Sequence, residues 1–242
     1  MRKRFLSHAI VAVVAIVTLA GSTGCDQTLG DYIVIPGFPG FELSNVRVMN
    51  ASSDIGEVDV WNRAYPFFQN LGNGVVSDYT HINDGVRTFA VVDTNATTDS
   101  DPITQSDLKY PVDTYQTVLI VGVTGQYDMI RFDDDRTPPI GDGIRFRLVN
   151  ALPDGPSIQA FGAADEVLAA AIAYKGATGS IEFAANFGDI SIRRADNDET
   201  LFSGATIADA VSDRHTYTIV IYPNASDEIS IRVLENNLAV EF

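Results

Sequence analysis

A phrase that returns one hundred residues later is the strongest constraint on what this chain can fold into. The segment RVMNASSDIGEVDVW opens at Arg47, and RLVNALPDGPSIQAF opens at Arg147. At an offset of 100, residues 46–61 and 146–161 share four identities in sixteen positions: Arg47/Arg147, Asn50/Asn150, Ala51/Ala151 and Asp54/Asp154. Apolar positions match in kind, among them Val48/Leu148, Val58/Ile158 and Trp61/Phe161. The echo continues downstream, aligning Leu71 with Ile172, Tyr79 with Ser180, Gly85 with Gly188, and the run from Tyr115 with the run from Tyr217. This period is too long for a solenoid repeat or a propeller blade. It is the size of a whole small domain, so the chain reads as a duplicated domain.

Each copy reads as all-β. NVRVMN, EVDVW, TFAVV and TVLIVGV are short runs rich in Val, Ile and aromatics, and FRLVN, SIQAF, ISIRR and YTIVIY repeat the pattern. Several alternate apolar and polar residues, as half-buried antiparallel strands do. Turn chemistry separates them in SSDIG, LPDGP, NDG and ADNDE. EVLAAAIAY from Glu166 has helical composition, but its counterpart PFFQNLG does not, so a strand or irregular loop is expected there. The expected fold is two tandem immunoglobulin-like antiparallel β-sandwich domains. No cysteine pair is present to bridge the sheets.

The recurring pattern is a strand ending in Arg-x-x-Asn-Ala, a Pro/Asp turn and a short VDV-like strand. A Gly-led strand and a Tyr-Thr-rich strand follow. It resembles the domain-of-unknown-function 4397 family, over residues 45–137 and again over 142–242. The second copy, with LPDGP, is the closer of the two; the first has Ser53 and Ile55 where a proline-bearing turn is usual. The resemblance implies a β-sandwich and an exported, envelope-attached protein. It implies no activity.

The amino terminus agrees with that address. Arg2, Lys3 and Arg4 precede an apolar run, Phe5–Leu19, and then small residues. That order marks a secretory signal peptide, and the run is short for a membrane span, which needs about 20 apolar residues. The sole cysteine, Cys25, follows in STGC. This stretch resembles the lipobox of bacterial lipoproteins, with Ser22 where an aliphatic residue is usual. The resemblance implies lipid attachment at Cys25 and anchoring to a bacterial membrane, since two or more acyl chains hold stably. Loss of Arg2, Lys3 and Arg4 takes the net charge from −16 to −19. So acidic a surface repels nucleic acid and anionic headgroups.

The expected organisation is a signal peptide over 1–24, a lipidated tether over 25–44, a first sandwich over 45–137, a linker over 138–143 and a second sandwich over 144–242. The apolar tether segment YIVIPGFPGF is expected to pack on the first domain as an edge strand, or to dock a partner.

Candidate chemistry is sparse. The mature chain has two histidines, His81 and His215, at different points of the two copies. There is no G-x-S-x-G elbow, no zinc signature and no phosphate loop. DTNATTDSD from Asp93 loosely resembles a calcium loop, but Thr98 stands where the turn glycine is needed and Thr104 where the bidentate glutamate is needed. Asp133–Asp135 offer a second calcium candidate between the copies. Asn50 and Asn150, each ending a strand, are expected to bond nearby backbone, as are Asp54 and Asp154 in the turns that follow. Trp61, Phe67 and Phe68 match apolar positions in the second copy and are expected in the core. Tyr65 matches Asp165 and is the expected exposed aromatic, hence the candidate binding surface. The ending LAVEF resembles the closing strand of a membrane barrel, but two sandwiches already use the chain.

The expected function is therefore non-catalytic, with no cofactor or metal. The chain is read as a lipid-anchored cell-envelope module that binds a glycan or an envelope protein. The alternatives are a structural or assembly component and a calcium-binding envelope protein.

Overall fold

The computed structural model describes residues 43–63, 65–97, 100–153, 155–183, 189–204, 211–212 and 214–237. Cys25, the tether, Asp154, Gly188 and the terminal LAVEF lie outside them, as do Thr98 and Asp99 of the acidic loop. Sixteen strands are formed among the described residues. In the first copy they are β1 (Leu43–Asn50), β2 (Val58–Asn62), β3 (Tyr65–Leu71), β4 (Thr80–Asn83), β5 (Gly85–Asp93), β6 (Thr104–Tyr110), β7 (Tyr115–Val121) and β8 (Asp128–Asp133). In the second they are β9 (Ile144–Asn150), β10 (Ile158–Phe161), β11 (Val167–Ile172), β12 (Ile181–Phe183), β13 (Ser191–Arg194), β14 (Thr200–Ser203), β15 (Thr216–Pro223) and β16 (Ile229–Glu235). The alanine-rich stretch after Glu166 is the strand β11, preceded by a single 3-10 turn at Ala163–Asp165.

These strands form four sheets in two sandwich-like groups. The first group pairs β4-β1-β7-β8 with β3-β2-β5-β6; the second pairs β12-β9-β15-β16 with β11-β10-β13-β14. The strand order of one group repeats in the other. Each group also departs from a purely antiparallel sandwich, because β1 runs parallel to β7 and β9 parallel to β15.

Alternation along the central strands explains the packing. In β1, Val46 and Val48 point into the first core with Val118, Ile120, Phe89 and Val91. Arg47 and Met49 point the other way. In β9, Phe146 and Leu148 enter the second core with Ile190, Ile192 and Ile219, while Arg147 and Val149 point away. The outward set forms a third core. Met49, Leu119 and Val121 of the first copy meet Val149, Val220, Tyr222 and Leu234 of the second. The sheets therefore stack in four layers, and the two middle ones are covered on both faces. That is why TVLIV and YTIVIY read as unbroken apolar runs rather than alternating ones.

The ladders correct the sequence alignment in two places. Asn45 lies beside Tyr115, and Arg145 beside Thr216, so Tyr115 corresponds to Thr216 and not to Tyr217. Val60 faces Phe68 and Ala160 faces Ala169, so Phe67–Phe68 correspond to Leu168–Ala169, and Tyr65 corresponds to Glu166. A one-residue slip moves a side chain to the opposite face of its sheet. Matching hydrophobicity between two apolar runs cannot detect it.

Asn50 and Asn150 end the equivalent strands β1 and β9. The Asn50 carboxamide donates to the carbonyls of Gly56 (2.9 Å) and Leu71 (3.1 Å) and accepts from the Ser52 N–H (3.1 Å). Asn150 repeats this with Pro156 (3.1 Å), Ile172 (2.9 Å) and Leu152 (3.0 Å). Both residues are fully buried. Replacing Asn150 by Ala leaves two carbonyls and one N–H unpaired out of water, at roughly 1–3 kcal/mol per orphaned group less whatever water recovers. The expected loss is about 3 kcal/mol in urea unfolding, and Asn150→Asp is expected to do little better because a carboxylate cannot donate to the carbonyls.

Candidate functional site

Charged side chains converge between the two middle sheets, in the seam between the copies. Asp134 follows β8, and its carboxylate is wholly removed from solvent. Arg147, on β9 of the other copy, donates from Nη2 to Asp134 Oδ1 at 2.8 Å and from Nη1 to the Asp133 carbonyl at 2.7 Å. Thr117 Oγ1 donates to Asp134 Oδ2 at 2.6 Å, and the Tyr79 hydroxyl does so at 2.8 Å.

The second half of the seam mirrors the first. Arg47, on β1, reaches across to the Glu235 carbonyl (2.7 Å) and to Asn236 Oδ1 (2.6 Å), and bonds Thr117 Oγ1 at 2.9 Å. Gln116 pairs with Asp133 and Tyr217 with Glu235, so Asn236 is the counterpart of Asp134. Each arginine thus grips the segment after the last strand of the opposite copy. The mirror is imperfect in one respect: two arginines share one carboxylate, Arg47 lying 3.9 Å from Asp134. Arg47 is further supported by the Tyr79 ring, 4.5 Å from its guanidinium carbon. Burial pulls Arg147 below the ordinary arginine range, opposed by the adjacent Asp134 carboxylate. Burial, then Asp134, pushes the Tyr79 hydroxyl far up, so it stays a donor.

Around this centre, Asp135 accepts from Ser180 Oγ (2.6 Å) and the Thr137 N–H (2.9 Å) and pairs with Arg145, which also binds Glu182. At the other end of the seam, Lys175 meets Asp128 at 2.8 Å and Asn73 donates to the Pro223 carbonyl at 3.0 Å. Gly74 lies so close to Tyr222 that a Cβ there would fall 2.4 Å from its hydroxyl oxygen. The Asp133–Asp135 run, a calcium candidate in sequence, is thus taken up by arginines, hydroxyls and amides. The Asp134 and Asp135 carboxylates bind the copies together, and that of Asp133 is bonded within its own copy by Gln116 and Arg131.

The other sequence candidates are scattered. His215 lies 2.8 Å from Glu235, and His81 is an exposed residue of β4. Asp54 bonds beyond its own loop as well as within it. It accepts from the N–H and hydroxyl of Thr124 (2.7 and 2.5 Å), from Ser52 and from Tyr127. Phe67 and Phe68 pack on the first core as expected. Trp61 does not: it faces Pro66 and Ala90 on the outer side of its sheet and is only half-buried. Val60, its neighbour, takes the core position. Phe161, its counterpart, is covered by the Arg193 guanidinium at 4.4 Å, whereas the first copy has Val92 at the place of Arg193. Tyr65, at the tip of the β2–β3 hairpin, is 70% exposed.

One concavity went unseen in the sequence. A groove of about 490 Å³ opens along β11, lined by residues 168–173 and 176–181. At the positions of Leu168 and Ala169 the first copy has Phe67 and Phe68, whose rings meet edge-on at 4.9 Å and pack on Phe89. Its sequence signal was the exchange of Phe68 for Ala169, hidden by the slipped alignment.

The family model for a domain of unknown function, DUF4397, matches residues 44–161, from the start of β1 to the end of β10. That span holds both occurrences of the Arg-x-x-Asn-Ala phrase and supports the family resemblance over those residues. No curated protein matches the chain.

Two outcomes follow from the seam. Asp134→Asn leaves Arg47 and Arg147 buried with no carboxylate, and breaking such a pair costs roughly 3–5 kcal/mol. Calorimetry is expected to show the single transition of the parent splitting in two, because each copy keeps its own core. The second outcome concerns acid. Burial alone would raise Asp54 and Asp135, but the hydrogen bonds described above, with Arg145 beside Asp135, outweigh it and hold both below the ordinary aspartate range. Their folded values lie below the unfolded value of about 3.9, so the unfolded chain binds protons first as pH falls. Their stabilisation is full above about pH 4 and is lost below it. Asp135→Asn is expected to be less stable than the parent at neutral pH and to lose less than the parent between about pH 4 and pH 2, as read by urea midpoints.

Proposed function

We propose that the chain is a non-catalytic, lipid-anchored module of the cell envelope, built from two copies of the DUF4397 domain, that binds a glycan or an envelope protein. The observation that carries this reading is the β2–β3 hairpin. It presents Tyr65 to solvent at its tip, and the Trp61 ring is half-buried on its outer face. An exposed aromatic ring offers a flat apolar face to a sugar ring or a protein anchor. The converging charged groups of the seam are engaged with one another, which supports binding over catalysis. The tight seam also favours a second reading, a rigid spacer or assembly component, because it holds the two sandwiches as one body.

The anchoring part of the proposal rests on STGC and Cys25. Cys25→Ala is expected to release the protein from the membrane fraction while the parent stays; equal partition of both removes the anchor. Protease treatment of intact cells then distinguishes a surface module, which is digested, from a periplasmic one, which is protected. For binding, Tyr65→Ala is expected to weaken association with purified envelope polysaccharide about tenfold, or about 1.4 kcal/mol, in calorimetric titration. Binding that is indifferent to Tyr65→Ala and Trp61→Ala would sink the aromatic surface and leave the spacer reading.

A further inference from the structure

At one end of the seam the two copies close their turns differently. In the first, the turn after β1 is fastened to the β7–β8 turn by polar contacts. Ser52 Oγ donates to the Gly122 carbonyl at 2.8 Å, and Asp54 accepts from Thr124 and from the Tyr127 hydroxyl. Gln116 pairs with Asp133 as Tyr217 does with Glu235, so Gly122 is equivalent to Pro223 and Tyr127 to Ile229. Asn50 and Asn150 end equivalent strands, so Ser52 is equivalent to Leu152. Leu152 and Ile229 have no side-chain donor with which to repeat the clamp, and the Pro223 carbonyl accepts from Asn73 instead. Together with Pro153, and with Val123 of the first copy, these residues line a cavity of about 230 Å³.

Among the described residues that line it, Asp227 carries the only charge. Its backbone is left-handed, φ 60°, a conformation that aspartate and asparagine tolerate. Its N–H is bonded to the Asn224 carbonyl at 2.9 Å, so the turn fixes its place. Its carboxylate meets no cation and no donor among the described residues.

We infer that this cavity takes the side chain of a lysine from a partner protein, its stem against Leu152, Pro223 and Ile229 and its ammonium on Asp227. Size selects a single side chain, because sites for whole small ligands run from about 300 to 1,000 Å³. Charge selects a cation, since Asp227 is unpaired and the chain as a whole carries −16. The apolar walls select an alkyl stem over a bare metal ion, which needs several oxygen ligands. Lysine fits better than arginine, because none of the described lining residues is aromatic and a guanidinium finds no ring to stack on. The cavity shares no residue with the β2–β3 hairpin, so each site stands or falls by its own test.

That test is a methyl NMR titration of the full chain in detergent with Nα-acetyl-lysine methylamide, which presents the side chain as a polypeptide does. The methyl signals of Val123, Leu152 and Ile229 are expected to shift and to saturate. The norleucine analogue keeps an alkyl stem but lacks the ammonium, and is expected to bind several-fold more weakly. Asp227→Asn is expected to lower affinity for the lysine probe by a similar factor, in keeping with the modest strength of an exposed ion pair. Ile229→Tyr installs the residue of the first copy and is expected to abolish the shifts at Val123 and Leu152 with an unchanged thermal melt. Free lysine brings its own carboxylate towards an acidic chain and is expected to bind more weakly than the blocked form. No saturable shift at these methyls overturns the proposal. So does equal binding of the norleucine analogue or of the lysine probe to Asp227→Asn, and tighter binding of free lysine removes the protein source.

Discussion

The Asp134 carboxylate sits at the centre of the seam, out of water, and the rest of the architecture is arranged around that fact. An isolated buried carboxylate is costly, and here it is held by two hydroxyls and an arginine from the opposite copy. Those donors arrive from β7, from the segment before β4, and from β9, so the network forms only when the two copies are docked. Its surroundings are apolar, from Met49 and Leu119 on one side to Val149 and Val220 on the other. The apolar contacts supply most of the driving force, being roughly proportional to area removed from water. The charged centre is directional, and so sets the register in which the two sheets meet.

This divides the recurring Arg-x-x-Asn-Ala phrase into separate structural duties. The arginine crosses to the opposite copy, the asparagine closes the turn after its strand, and the alanine is buried beside the seam. A motif of this kind can recur without any shared chemistry, because what it conserves is a way of ending a strand and a way of holding a neighbour. The functional reading therefore rests on what differs between the copies. Tyr65 stands where Glu166 does, Pro66 where Val167 does, and Phe68 where Ala169 does. Each is a place where the second use of one fold has been modified.

Much of this was legible in the sequence. Apolar runs separated by Asp, Gly and Pro turns specify strands of a given length, and the repeat specifies that whatever the first copy forms the second forms too. The duties of Asn50 and Asn150 were readable because a side-chain amide acts on backbone a few residues away, which is local chemistry. Exposure of Tyr65 was readable from its polar counterpart, although that counterpart is Glu166 and not Asp165. Trp61 was misread. Apolar character in both copies looks the same for a core position and for an outer face covered by an arginine, and only the position of Val60 in the core decides between them.

What the sequence by itself determined was the all-β character, the two-fold repetition and the turn asparagines, all properties of neighbours along the chain. What only the tertiary structure decided was which face of each central strand meets which partner. The parallel pairing of β1 with β7, the four-layer stack and the crossing of Arg47 and Arg147 all depend on that choice. Strands buried on both faces carry no alternation to report it, and Asp133–Asp135 look the same on paper whether they await a cation or the arginines of the other copy. The burial of Asp134 is a property of two surfaces meeting, so it becomes definite only when they do.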